Sequence, residues 1–215
     1  MLSVVIPTLN AAALLPYCLQ RLDGADEIII VDGGSRDETI AIAEAAGARV
    51  IVAPKGRGSQ LRAGGEAARG DWLLFLHADT LLEPGWLEAA EAHAQRTTCP
   101  ACFRFRLDDR SWQARMVERG ARLRAALLGL PYGDQGLLVS RTHYRNMGGY
   151  RALPLMEDVD LVRRLGRVRT LPVDAITSAE RWRRDGWFSR SARNLACLSM
   201  YMVGVPTERI ARFYG

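Results

Sequence analysis

The sequence predicts an α/β fold, with a mostly parallel central sheet and helices on both of its faces. Three observations predict it. Strand-like and helix-like segments alternate through the first half of the chain. Runs such as Glu27-Ile28-Ile29-Ile30-Val31 and Trp72-Leu73-Leu74-Phe75-Leu76 are continuously apolar, as expected of strands covered on both faces. Finally, polar clusters follow the apolar runs directly: Pro7-Thr8-Leu9-Asn10, Asp32-Gly33-Gly34-Ser35, His77-Ala78-Asp79-Thr80 and, after Leu155-Met156, Glu157-Asp158. Open parallel sheets bind ligands in the crevice outside the carboxyl ends of their strands, so these clusters predict one shared pocket.

The elements follow in order. Leu2 to Ile6 is the first strand, and Ala12 to Leu22 reads as a helix with Pro16 tolerable only in its first turn. After the second strand, Ser35 and Glu38 form an S-x-x-E capping box that opens a helix running to near Ala46. Arg49 to Val52 is a short strand. Gly58 to Ala68 is a helix weakened by Gly64 and Gly65, and Pro84 to Gln95 is a helix with proline near its start. The second half is less regular. Cys102 to Leu107 alternates apolar residues with arginine, as a half-exposed strand does. Trp112 to Leu128 is helical, Gly136 to Ser140 is a strand, and a short helix ends at Gly148-Gly149. Glu157 to Leu165 and Phe188 to Met202 are helices. No repeat, low-complexity tract or linker divides the chain, so residues 1–215 are expected to form one domain.

A length of 215 residues fits one well-filled α/β domain and is short for two. The net charge of +5 permits a phosphorylated ligand or an anionic membrane surface. Nucleic acid is excluded as a partner, because no dense basic run is interleaved with aromatics. All but one of the 29 basic residues are arginine, and the exception is Lys55. A lone lysine either marks a place for a compact ammonium or falls there by chance. The four cysteines make no disulfide framework in a chain of this size without a secretory signal. Cys99-x-x-Cys102 lacks the second pair that a structural zinc needs, and it leads into a strand where a redox dithiol opens a helix. The chain begins directly on a strand, and no apolar run reaches the ~18 residues of a membrane span. The expectation is a cytoplasmic protein, with peripheral contact at the inner face of a membrane left open.

The acidic part of the predicted pocket suits a phosphate bridged by a cation, since Mg and Mn prefer oxygen ligands. A carboxylate and a carboxamide, as at Asp32 and Asn10, are equipped to bind ribose hydroxyls and base N–H groups. Asp32 is expected to be free for this while Ser35 caps the following helix. Lys55-Gly56-Arg57-Gly58-x-Gln60 lacks the spacing of a P-loop, and Leu61 breaks G-x-G-x-x-G. It reads as an anion or ribose contact, or as an ordinary basic turn.

Val5-Ile6-Pro7-Thr8-Leu9-Asn10, Val31-Asp32-Gly33-Gly34-Ser35-x-Asp37-x-Thr39, His77-Ala78-Asp79-Thr80 and Glu157-Asp158-Val159-Asp160-Leu161 together resemble family 2 glycosyltransferases with the GT-A fold. The likeness covers nearly the whole chain, in the right order. It implies a compact bacterial type without a transmembrane anchor, whose residues 1–98 bind the nucleotide and whose residues 99–215 bind the acceptor. Pro7, Thr8, Asn10 and Asp32 are implied to line the base and ribose, with Gly34, Lys55, Arg57, Gln60 and Ala78 completing the nucleotide-sugar site. His77-Ala78-Asp79 stands where the family carries a metal-binding D-x-D. Asp79 is then the implied ligand of Mn or Mg, and His77 is either a nitrogen ligand or a partner behind the ligand. Asp158 is implied as the general base of an inverting transfer, with Glu157 orienting it or the donor. Asp134, Gln135, Arg181 and Trp182 are implied contacts of the acceptor or donor sugar, although the late R-W pair lacks the full Q-x-x-R-W pattern.

The donor implied is a nucleotide-diphosphate sugar, and the acceptor is an unidentified small molecule or lipid. A nucleotidyltransferase of similar fold is the enzymatic alternative, but it would carry a G-x-G-T-R-like loop where Pro7-Thr8-Leu9-Asn10 stands. A non-catalytic nucleotide-sugar binder is the other alternative. Phe188, Ala192, Leu195, Ser199 and Met202 follow helical spacing. That stripe is expected to pack on the sheet as core, with a membrane-facing segment or a homodimer interface as the alternatives.

Overall fold

Ten helices pack around one eight-stranded sheet in the computed structural model, which describes residues 1–215. The strands are β1 (Leu2–Thr8), β2 (Glu27–Asp32), β3 (Arg49–Val52), β4 (Trp72–Phe75), β5 (Thr80–Leu82), β6 (Ala101–Leu107), β7 (Leu137–Ser140) and β8 (Arg169–Thr177). The helices are α1 (Leu15–Gln20), α2 (Thr39–Ala45), α3 (Arg57–Ala67), α4 (Trp86–Arg96), α5 (Trp112–Leu128), α6 (Arg141–Asn146), α7 (Glu157–Leu165), α8 (Glu180–Asp185), α9 (Trp187–Met202) and α10 (Thr207–Tyr214). A 3₁₀ turn covers Gly133–Gln135. No helix is long and apolar enough to cross a membrane.

The strand order is β3-β2-β1-β4-β7-β6-β8-β5. The first four strands are parallel; β7 runs antiparallel to β4 and β6, and β5 runs antiparallel to β8. The chain winds outward from β1 to β3, then returns to place β4 on the other side of β1. That reversal leaves a crevice at the carboxyl ends of β1 and β4, where Thr8 and His77 emerge. Successive residues of β1 enter opposite cores. Val5 joins Ile29, Val31, Phe75, Tyr150 and Val159 on one face, while Val4 and Ile6 join Ile30, Leu74, Leu15 and Trp86 on the other. This explains the continuous apolar runs.

Several expectations are corrected. The capping box does not form: α2 begins at Thr39, its N-cap Glu38 makes no side-chain cap, and Asp37 Oδ1 accepts instead from the Thr39 backbone N–H (3.1 Å). Leu155-Met156 is not a strand end but the approach to α7. The basic-aromatic stretch from Arg181 to Asp185 is helical, in α8. The strands β5 and β8 and the helix α10 had no counterpart in the sequence reading. The stripe Phe188, Ala192, Leu195, Ser199 and Met202 is exposed throughout, and Cys197 and Leu198 are what α9 buries.

Gly64 and Gly65 weaken α3 in isolation, but close packing requires them. A Cβ on Gly64 would lie 2.3 Å from Val5 Cγ1 and 2.8 Å from Val31 Cγ2. A Cβ on Gly65 would meet the Tyr144 hydroxyl at 2.6 Å. We therefore expect Gly64→Ala to lower stability by about 1–3 kcal/mol through overpacking, despite alanine's better helix propensity. Gly120 in α5 faces open space, and Gly120→Ala should raise stability by up to ~1 kcal/mol. Urea denaturation of the two variants checks both signs; a Gly64→Ala protein as stable as the parent would contradict the close approach of α3 to the sheet.

Candidate active site

Two polar cavities meet at the carboxyl ends of β1 and β4. The first, about 490 Å³, is lined by eight of the ten residues expected at the nucleotide-sugar site: Pro7, Thr8, Asn10, Lys55, Arg57, Gln60, Ala78 and Asp79. The second, about 330 Å³, is lined among others by Asp134, Asp158, Arg181 and Trp182. Arg57, His77, Asp79, Ser178 and Arg181 belong to both walls. Residues distant in sequence are thus gathered as the strand ends predict.

Asp32 and Gly34 line neither cavity. Asp32 is fully buried. Its Oδ2 accepts from the backbone N–H groups of Gly34 (2.8 Å) and Ser35 (2.7 Å). Its Oδ1 accepts from Ser35 Oγ (2.5 Å) and Thr8 Oγ1 (3.2 Å). Burial pushes this carboxyl up, but the hydrogen bonds from Ser35, Gly34 and Thr8 outweigh it and hold the pKa below its ordinary value. The expectation of a capping Ser35 and a free Asp32 is therefore reversed. Asp32 holds the loop that sets Thr8 and Asn10 in place. Ser35 Oγ accepts from the Asn10 N–H at 2.8 Å, and Asn10 Oδ1 accepts from the Arg36 N–H at 2.8 Å.

Gln60 is buried, and its Nε2 donates to the carbonyls of Thr8 and Val31, both at 2.7 Å. It ties β1 to β2 from α3, so its amide N–H groups are not available to a ligand. Lys55 and Arg57 flank Gly56, whose φ of 141° is accessible only to glycine at low cost. Arg57 Nε donates to Glu157 Oε1, and Glu157 is only 1% exposed. Burial raises the Glu157 carboxyl above its ordinary value, against the pull of Arg57. Glu157 therefore orients Arg57 and does not itself reach a cavity.

Asp158 is held from two sides. Its Oδ2 accepts from the Gly133 N–H and its Oδ1 from the Val159 N–H, both at 2.8 Å. Asp160 serves the fold: Arg151, Arg164 and Tyr201 all donate to its carboxylate. In the 3₁₀ turn, Asp134 faces the second cavity while Gln135 turns inward, where its Nε2 donates to the Phe103 carbonyl at 3.2 Å. Gln135 is thus corrected from a ligand contact to a buried support.

Asp79 has no hydrogen bond or ion pair from its carboxylate within the protein, so its oxygens remain available to a cation. The His77 imidazole is pushed down to about 4 by burial and by Arg57, and it is neutral at pH 7 with one ring nitrogen able to ligate. No group of three or more His, Cys, Asp or Glu side chains is assembled to hold a metal unaided. That arrangement fits Mn or Mg bound through one or two protein ligands, with ligand phosphates and water completing the shell.

Sequence reasoning missed Thr177, Ser178, Arg190, Asn194 and Tyr214 on the second cavity. They lie on β8, α9 and α10 or beside them, where no motif marks them. Arg190 Nη1 donates to Asp185 at 2.7 Å and its Nη2 to the Tyr214 hydroxyl at 3.2 Å. Its guanidinium lies 5.4 Å from the centre of the Trp182 ring.

The crevice at the β1/β4 reversal is thus lined by a free carboxylate, a held carboxylate and arginines. The glycosyl transferase family 2 model matches residues 3–151, well over half of the chain. The chain belongs to that family. It is 43% identical over 93 residues to a PGL/p-HBAD biosynthesis glycosyltransferase of Mycobacterium bovis, a match covering 38% of this chain and 36% of that protein. It is 31% identical over 129 residues to an undecaprenyl-phosphate 4-deoxy-4-formamido-L-arabinose transferase of Pseudomonas aeruginosa, covering 53% of this chain and 38% of that one. The match thus spans little more than a third of either relative. Staphylococcus aureus TarS 1–349 superposes with a TM-score of 0.65 at 15% identity, over 99% of this chain and 70% of that one. Glucosyl-3-phosphoglycerate synthase of Mycobacterium tuberculosis, solved with Mn²⁺, UDP and phosphoglyceric acid, superposes at 0.63 with 22% identity, over 96% and 79%. The fold is GT-A.

Asp134 gives a pH signature. Burial, reinforced by the charges of Asp158 and Asp79, raises its pKa from 3.8 to about 6. A carboxyl raised in the folded state binds its proton more tightly there, so its stabilising contribution is complete below the unfolded value and is lost as pH rises through the folded one. With a chelator present, the Tm of Asp134→Asn relative to wild type should rise between pH 4 and about 6 and level off above. A difference independent of pH would contradict the burial of this acid.

Proposed function

We propose that the protein transfers a sugar from a nucleotide-diphosphate sugar to an acceptor hydroxyl, with inversion and with a divalent metal. One observation carries the reading: Asp79, whose carboxylate has no protein partner, stands on the wall between the cavity of the expected nucleotide residues and the cavity of Asp158. The nucleoside would lie in the first cavity, against Pro7, Thr8 and Asn10, with Lys55 near the diphosphate. The relatives that carry UDP with Mn²⁺ or Mg²⁺ support this donor class. Mn or Mg held by Asp79, with His77 as second ligand or support, would neutralise charge on the departing diphosphate.

The acceptor occupies the second cavity. Its hydroxyl oxygen attacks the anomeric carbon as the bond from that carbon to the diphosphate oxygen breaks, and the nucleoside diphosphate leaves. Asp158 takes the hydroxyl proton. Its hydrogen bonds to Gly133 and Val159 fix the carboxylate in orientation before the acceptor arrives. Arg57, held by Glu157, and Arg181 stand on the wall common to both cavities, positioned to face the diphosphate. Residues 1–98 thereby supply most of the donor side and residues 99–215 most of the acceptor side.

Two substitutions test the roles. Asp79→Ala should abolish the Mn-dependent part of UDP binding in calorimetric titration while leaving the circular dichroism unchanged; unaltered affinity would remove Asp79 from the metal site. Asp158→Asn should keep UDP binding and slow transfer by about 10²–10⁴-fold, because an amide of the same size cannot take the proton. Near-normal transfer by this variant would assign the base elsewhere. Turnover of a nucleotide-sugar panel separates the transferase from a binder, which turns over none.

A further inference from the structure

The helices α5 and α9 lie side by side without closing on each other. The cleft between them has a volume of about 510 Å³, and 13 of its 19 lining residues are hydrophobic. That volume lies within the ~300–1,000 Å³ typical of ligand pockets. Leu123 and Leu127 of α5 and Leu195 of α9 line it at 59%, 73% and 65% exposure, a pattern that soluble surfaces do not keep without use. Gly120 sits on the α5 wall, and a Cβ there would meet nothing within 4 Å. Glycine in mid-helix weakens the helix, and here it also leaves the cleft open. The Trp112 and Phe188 rings meet where the two helices begin, with centroids 6.1 Å apart.

The cleft does not end blindly. Tyr132, Asp134, Trp182 and Asn194 line it and also line the cavity that holds Asp158. A second, independent feature lies on the Asp158 cavity. Only two buried side-chain polar atoms lack a hydrogen-bond partner, Asp134 Oδ1 and Arg190 Nε, and both residues line the Asp158 cavity. Buried polar groups are paired in folded proteins, so an orphan acceptor and an orphan donor just behind one cavity wall are groups that a small side-chain shift would turn toward a polar ligand. A hydroxyl donates to the first and accepts from the second.

We propose that the acceptor is an amphiphile: an apolar chain or ring system lies in the α5–α9 cleft, and its polar head passes Asp134 and Arg190 to present a hydroxyl to Asp158. This rests on the transfer reading above and adds the class of acceptor. A second copy of the chain or a membrane surface would cover the exposed leucines, but neither makes use of the opening at Asp134 or of the two orphan atoms. A single elongated molecule with one polar end uses all three.

Tryptophan fluorescence tests this without knowledge of the natural acceptor, because Trp182 and Trp187 line the cleft. The probe is 8-bromooctan-1-ol, whose bromine quenches an indole it touches; 2-bromoethanol is the control without a chain. We expect saturable quenching by the octanol and only linear quenching by the ethanol. Gly120→Phe, which fills open space, and Leu195→Glu, on an exposed position, should each weaken half-saturation by about tenfold or more. UDP titration with Mn, run on the same samples, should be unchanged in both variants. Linear quenching by the octanol, or equal saturation in the variants, overturns the proposal. So does a dimer in light scattering that Leu195→Glu dissociates, or sedimentation with phosphatidylglycerol vesicles that Leu195→Glu abolishes, if octanol binding is absent. Saturation by the octanol with no UDP binding in wild type would instead sink the donor assignment and leave the cleft standing.

Discussion

The ion pair between Arg57 and Glu157 fixes the relation between the two halves of the site. Arg57 opens α3 in the first half of the chain, and Glu157 opens α7 a hundred residues later. A carboxylate with 1% exposure has lost its water and needs a partner. Leaving such a group unpaired costs about 3–5 kcal/mol when the pair is fully buried, and less here because the Arg57 side chain is 38% exposed. The pair therefore does little for net stability and much for placement. The residue after Glu157 is Asp158, so anchoring one acid inward aims its neighbour at the cavity. Arg57 meanwhile lines both cavities, which makes one contact responsible for the spacing of the proposed leaving group and the proposed base.

Local backbone strain sits at the same places. Only two non-glycine residues have positive φ, Asn10 at 50° and Met156 at 65°. Each costs on the order of 1–2 kcal/mol over the right-handed region. Asn10 borders the first cavity and Met156 the second. Asn10 is held by its hydrogen bonds with Ser35 and Arg36, and Met156 by its place just before the anchored Glu157. Gly133 shows the complementary constraint. A Cβ there would lie 2.8 Å from His77 Nε2, while its N–H is the donor that holds Asp158. The end of β4, the 3₁₀ turn and the start of α7 are thus locked together at one glycine.

The first half of the fold was legible because three of its strands are covered on both faces, and β1, β2 and β4 read as apolar runs closed by polar residues. The lining of the first cavity was legible for the same reason, since its polar residues follow those runs. What sequence could not give was which polar groups face inward. Asp32, Gln60 and Gln135 are the right residue types at the right loops, yet their hydrogen bonds run to neighbouring backbone. The strand β8 was hidden by Pro172, which sequence rules place outside central strands. In the structure Pro172 falls where the β6–β8 register shifts between Cys102 and Arg104, an irregularity that tolerates a residue without an N–H. Asp174 was equally misleading, and it is paired with Arg104 and Arg106 across the same two strands. The apolar stripe of α9 misled in the other direction: its periodicity was real, but it is exposed and not on the sheet, with Phe188 and Leu195 on the cleft.

His77 stands where the resemblance implies an acid, and the charge of the surrounding site bears on that difference. The second cavity already gathers Asp79, Asp134 and Asp158, and their mutual repulsion is part of what raises Asp134 to about 6. A further carboxylate at position 77 would add negative charge to a partly desolvated site before any cation arrives. An imidazole that burial and Arg57 keep neutral adds none, and it still offers a nitrogen lone pair. The two cations on the shared wall, Arg57 and Arg181, then face a smaller acidic charge and retain more positive potential toward a diphosphate. Under the proposed donor binding, the protein's own arginines would supply part of the charge neutralisation that a second acid with a more tightly held metal would otherwise provide.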